Sequence, residues 1–155
     1  MQPKHSARAP VASECSESGE GLRPPAASAR DEKLRKTDRV RKHREYEHAQ
    51  RAGVRVSCAH VVLLLALREA ASLPVRMGII ASRRAGNAVM RNRAKRQVRE
   101  WFRCRKAALP GAVDLLVILK PNVAELGRGG LARELESALG PIRRRAERLV
   151  AKRLP

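Results

Sequence analysis

The chain has 155 residues, with 34 Lys or Arg against 15 Asp or Glu, a formal net charge of +19 and a pI of about 11.5. That length predicts one domain of ordinary size with tails. The charge selects polyanionic partners (RNA, DNA or an anionic membrane surface) and says little about fold. Aromatics at 2% disfavour binding folds that stack several bases on rings, so phosphate and shape contacts should dominate.

Residues 1–37 are rich in Pro, Ser, Ala and mixed charge without apolar periodicity, and are expected to form a disordered N-terminal extension. The domain is expected over 38–150, with a short tail at 151–155. Asp38 is a candidate cap for a polar helix running to Ala52, and Gly53 supplies its stop. Val54 to Ser57 alternates and Ala59 to Leu67 is β-rich and apolar, which predicts a hairpin with its turn near 57–60. A loop over 68–75 leads to a third strand, Met77 to Ser82.

From Ala88 the pattern changes. Met90, Ala94, Val98, Trp101 and Phe102 recur at steps of three and four, the spacing of one helix face packed on a core. Asn92, Lys95, Arg96, Arg99 and Arg103 project to the other side, with Arg93 flanking them. Between Arg83 and Lys106 ten side chains are basic and only Glu100 is acidic. A solvated helix face usually mixes signs, with Glu placed four residues before Lys or Arg. A face with a single acid fits a polyanion better, and its preference for arginine, whose planar fork grips phosphate oxygens in pairs, points to nucleic acid.

Leu109-Pro110-Gly111 makes a turn and Val113 to Leu119 a buried strand, closed by Lys120-Pro121-Asn122. Leu131, Leu135, Ala138 and Leu139 mark a final helix. Gly140-Pro141 should break it before a second segment containing Ile142, Leu149 and Val150 and bearing Arg143, Arg144, Arg145 and Arg148. The order helix, three strands, helix, strand, helix is that of an α/β (α+β) layer with helices covering one sheet. The longest apolar run, Val61 to Leu67, is far short of the ~20 residues of a membrane-spanning helix, and a cytoplasmic location is expected. Cys15, Cys58 and Cys104 lack paired spacing and form no ligand pattern with the histidines, so free thiols and no metal site are expected.

Gly86-Asn87-Ala88-Val89, then Arg91-Asn92-Arg93, Lys95-Arg96 and Arg99-Glu100 in one register, closely resembles the signature of the protein subunit of bacterial ribonuclease P. The resemblance covers about residues 38–149. It implies an α-β-β-β-α-β-α sandwich with a left-handed βαβ crossover around the basic helix, a hand that general rules would not predict. It also implies that a catalytic RNA subunit, with bound Mg2+, removes the 5′ leader of precursor tRNA, the protein supplying no catalytic side chain. Arg91, Asn92, Arg93, Lys95, Arg96, Arg99 and Arg103 would face the RNA subunit. Tyr46 matches an aromatic of the family's leader-binding groove, with Arg83 and Arg84 nearby. Gln50 and Leu64 stand where the family usually has further aromatics, which reduces the expected base stacking. No membrane and no further protein partner are implied. A general or ribosome-associated RNA-binding protein is the alternative; a basic-helix DNA binder fits less well, because no dimerisation heptad or helix-turn-helix pattern accompanies the basic run.

Overall fold

Val61 to Leu67 is apolar at every position because both faces of this strand are covered. Val61, Leu63 and Leu65 enter one core, while Val62, Leu64 and Ala66 enter another on the opposite side. The computed structural model describes residues 34–69, 73–127 and 129–152. The readings for 1–33 and 153–155 lie outside these. In chain order come α1 (His43–Ala52), β1 (Val54–Ser57), β2 (Val61–Leu67), β3 (Arg76–Ile80), α2 (Ala88–Arg105), β4 (Val113–Leu119) and α3 (Gly130–Ala151). This is an α+β fold with the expected element order.

The sheet runs β1-β2-β4-β3. β2 is antiparallel to β1 and β4, and β4 is parallel to β3. Because β4 inserts between β2 and β3, it is buried along almost its whole length. The β3–α2–β4 unit is therefore a parallel crossover, as the resemblance implies. Helices α2 and α3 cover one face around Val98, Phe102, Leu131, Leu135 and Ile142, and α1 covers part of the other through Ala49 and Tyr46.

Three expectations are corrected. Asp38 does not cap α1. It is 4% exposed, accepts from the Arg35 backbone N–H at 3.1 Å and pairs with Lys106 at 3.4 Å. The cap position belongs to Lys42, whose backbone N–H reaches the Glu45 carboxylate at 3.2 Å. The segment placed at the end of the extension is also structured. Leu34 packs partly against the larger core, Lys36–Asp38 forms a 3-10 turn, and the Val40 backbone N–H donates to the Met77 carbonyl at 3.0 Å.

Gly140-Pro141 does not break α3. Proline withholds a donor from the carbonyl four residues back, but that residue, Ser137, is exposed and water can satisfy it. Ala138, Ile142 and Ala146 continue one buried face through the pair, so packing outweighs the local preference.

Candidate nucleic-acid interface

Helix α2 starts cleanly. Gly86 takes φ +116, a conformation that favours glycine, and the Asn87 side chain then accepts the Met90 backbone N–H at 2.9 Å. Ala94, Val98, Trp101 and Phe102 are buried as expected. Met90 is not: it is 37% exposed and its neighbour Val89 75%, because the first turn overhangs the core.

The rotation of α2 is fixed by Glu136 of α3, which receives Trp101 Nε1 at 3.1 Å and Arg105 Nε at 2.9 Å. Asn92, Arg96, Arg99 and Arg103, at steps of four, three and four, consequently form a stripe on the far side of α2 from α3. Asn92, Arg96 and Arg99 are exposed, as is Arg93 at the margin, while Arg91 and Lys95 are half-buried. The buried Arg91 Nε has no hydrogen-bond partner among the described residues. Arg103 is partly neutralised by Glu100, to whose carboxylate its Nε donates at 3.1 Å. That hydrogen bond, opposed by partial burial, holds Glu100 below the usual carboxylate range.

On the other face α1 packs over β2 and β4. Glu45 meets Arg76 of β3 at 3.1 Å, and Arg76 also grips Asp114 of β4 through two hydrogen bonds of 2.8 and 2.7 Å. The Tyr46 ring lies over Gly78: a Cβ there would come within 2.9 Å of it. The Tyr46 hydroxyl donates to the Val40 carbonyl at 3.1 Å, and burial pushes its pKa up. Leu64 packs beneath α1 at 6% exposure, so it supports the helix and offers little surface to a ligand. Gln50 remains exposed on α1.

Beside Tyr46 one row of this sheet face is only partly covered. Ile80 and Ile118, paired in register, are half-buried, and Ser57 of β1 is exposed at the far end of the same row. Tyr46 borders this row, whose position on β2, Val62, is buried. The exposed Arg83 and Arg84 follow directly from the β3 end.

Sequence reasoning did not single out two parts of this surface. Ile80 and Ile118 read as ordinary core positions, and only register places them beside Tyr46. The second part is basic: Arg35, Lys36, Arg39, Arg41, Lys42 and Arg44 are all exposed. Their segment lies on the outer edge of β3, where Arg39 bridges Met77, and is tied to the end of α2 by Lys106–Asp38. Positive charge thus runs from α2 around the sheet edge to α1. The charge run was visible in the sequence, but its position was hidden by its assignment to a tail and a helix start.

The protein-family model described as Ribonuclease P matches residues 34–143. This chain belongs to the ribonuclease P protein family. It is 37% identical over 106 residues to the ribonuclease P protein component of Syntrophobacter fumaroxidans, covering 67% of this chain and 82% of that one. It is 38% identical over 102 residues to the component of a Nocardioides species, covering 65% and 87%. Among solved structures, the Staphylococcus aureus RNase P protein superposes with a TM-score of 0.63 at 27% identity, covering 68% of this chain and 95% of that one. The Thermotoga maritima RNase P protein gives 0.59 at 28%, covering 67% and 96%. The ribonuclease P match spans the basic edge, both faces of the sheet and all of α2, and stops at residue 143 inside α3.

Proposed function

We propose that this protein is the subunit of a ribonuclease P that binds a catalytic RNA through α2 and the 5′ leader of precursor tRNA through the sheet face around Tyr46. The observation that carries this reading is the placement of the two surfaces. The arginine stripe belongs to the helix on one face of the sheet, and Tyr46 with the half-buried Ile80 and Ile118 lies on the opposite face. A domain built this way can lie between two RNA segments. Arg91, Asn92, Arg93, Lys95, Arg96 and Arg99 offset backbone phosphate charge on the catalytic RNA, with Arg103 contributing at reduced strength. Tyr46, Gln50, Arg83 and Arg84 hold the single-stranded leader, where aromatic and cationic groups tolerate any sequence.

Hydrolysis on this reading belongs to the RNA with its Mg2+. The exposed charged groups on this face of α2 are the guanidinium groups of Arg93, Arg96 and Arg99, which repel a cation, and the exposed Glu100 carboxylate is already paired with Arg103. Among the described residues no group of three His, Cys, Asp or Glu stands together to ligate one. The protein's part is electrostatic: by lowering repulsion between RNA strands it reduces the bulk Mg2+ the assembly needs.

The test is leader removal from precursor tRNA by the cognate RNA subunit at low Mg2+, with and without protein. Large stimulation is expected. Arg96→Ala with Arg99→Ala should lose it and make the dependence of log affinity on log salt shallower by just under one for each lost phosphate contact. No stimulation, with folded protein and active RNA, would leave a general RNA-binding protein as the better reading.

A further inference from the structure

The second half of α3 has a charge pattern that the reading above does not use. Acids in the first half are committed inside the fold. Glu134 accepts the His60 backbone N–H at 2.8 Å and meets the His60 ring at 2.7 Å, and Glu136 receives Trp101 and Arg105. Beyond Pro141 come Arg143, Arg144, Arg145, Arg148 and Lys152, against Glu147 alone, which Arg143 holds at 3.2 Å. Arg144, Arg145, Arg148 and Lys152 are exposed and make no ion pair among the described residues. Arg144 folds back along the helix, its Nη1 lying 3.7 Å from where a Cβ on Gly140 would stand.

The helix dipole favours cations in the last turn of a helix, which accounts for Arg148 and Lys152. It does not account for Arg144 and Arg145, which precede that turn. A mixed-sign solvated face does not account for them either, since the one acid nearby is already paired. A membrane surface is a poor fit. A helix lying in a bilayer interface inserts large apolar side chains, and the large exposed ones among the described residues are Leu73, Val89 and Met90, none of them on α3. Clustered guanidinium groups with no inserted apolar residue suit the phosphates of a nucleic acid.

This patch is separate from the stripe on α2. Trp101 and Arg105 face α3, and Asn92, Arg96, Arg99 and Arg103 lie about half a turn of helix away from them. On α3 the buried face is Leu131, Leu135, Ala138, Ile142 and Ala146, with Arg144 and Arg148 opposite. The two basic surfaces therefore diverge on either side of the α2–α3 contact, and one track of phosphates along α2 does not reach the second. We infer that the C-terminal half of α3, through Arg144, Arg145 and Arg148, is a second and independent contact for the phosphate backbone of an RNA segment other than the one on α2. The inference rests on the RNA-binding reading, and it concerns residues that lie past the end of the family match at residue 143.

The test uses the full chain carrying Arg144→Gln, Arg145→Gln and Arg148→Gln, with thermal melting as a check of folding. Binding to the ribonuclease P RNA is measured across salt concentrations, with hydroxyl-radical footprinting of the RNA, beside the Arg96→Ala, Arg99→Ala variant. The expected result is a salt slope shallower by about two to three, with protection lost over a segment that the α2 variant leaves protected. An unchanged slope and footprint in a normally melting variant would overturn the inference. So would loss of the same segment in both variants, or lost binding to phosphatidylglycerol vesicles with RNA binding intact. If the triple variant melts early, Arg144→Gln alone is read in the same way, with a slope change of just under one expected and no change overturning the inference. If wild-type protein fails to stimulate leader removal while the α3 variant still loses RNA affinity, the ribonuclease P reading fails and the α3 surface stands.

Discussion

Tyr46 combines a structural role with a proposed binding role, and the two can be separated. Its hydroxyl anchors the segment before α1 by donating to the Val40 carbonyl, while its ring occupies the space that Gly78 leaves open. Tyr46→Phe keeps the ring and removes one hydrogen bond, so it should lower stability by about 1 kcal/mol. Its preference for precursor over mature tRNA should stay intact. Tyr46→Ala removes the ring and should bring the affinities for long-leader precursor and mature tRNA together. The ratio of the two affinities is the measurement, and an equal loss for both RNAs in Tyr46→Ala would contradict a leader role. Tyr46 was singled out from the sequence only through the family resemblance, which the motif in α2 carries. Gly78 was not, since a glycine in a strand reads as a weak point until the ring that needs its missing Cβ is known.

At the scale of elements, the end of α1 nearest β3 is fastened to the sheet by an ion pair as well as by the packing of Tyr46. Glu45 contacts Arg76, and Arg76 is held by Asp114, whose paired hydrogen bonds strengthen its hold on the proton. Burial pushes Glu45 upward, but the backbone N–H groups of Lys42 and Arg41 and the Arg76 guanidinium outweigh it and leave its pKa below the ordinary 4.5. A carboxylate with a lowered folded pKa stabilises the native state above its unfolded pKa, and that contribution disappears as pH falls through the folded value. The melting temperature should therefore drop as pH falls below about 4.5. Glu45→Gln should lower it at pH 7 and flatten the acid dependence, and a variant as acid-sensitive as wild type would show that other carboxylates control the loss. The helices themselves were unequally legible. Ala94, Val98, Trp101 and Phe102 fixed the face of α2 because burial imposes the 3.6-residue period. Met90 shares that period yet lies where the helix overhangs, and periodicity cannot say where the core ends. Pro141 misled for a related reason: the local rule is sound, but the buried face that overrides it is assembled from strands and helices remote in sequence.

For the whole molecule, the net charge of +19 makes the isolated chain repel itself. Folding concentrates that charge on the α2 stripe, the β3 edge and the end of α3. Salt screens such repulsion, with a Debye length of about 10 Å at 0.1 M falling to about 3 Å at 1 M. The same ions compete with bound phosphates and reduce the gain from counterion release. The two effects predict opposite signs. Between about 0.05 and 0.3 M sodium chloride the melting temperature of free protein should rise, while the further increase produced by the ribonuclease P RNA should shrink, since ligand stabilisation follows affinity. Differential scanning fluorimetry with and without RNA measures both. If salt lowered the melting temperature of the free protein, the arginines of these surfaces would be stabilised within the fold, by pairing or by helix dipoles, and their clustering would no longer require a polyanion. A rise in the free protein together with loss of the RNA-dependent shift would mean that the charge is held at a cost in stability that only the bound RNA offsets.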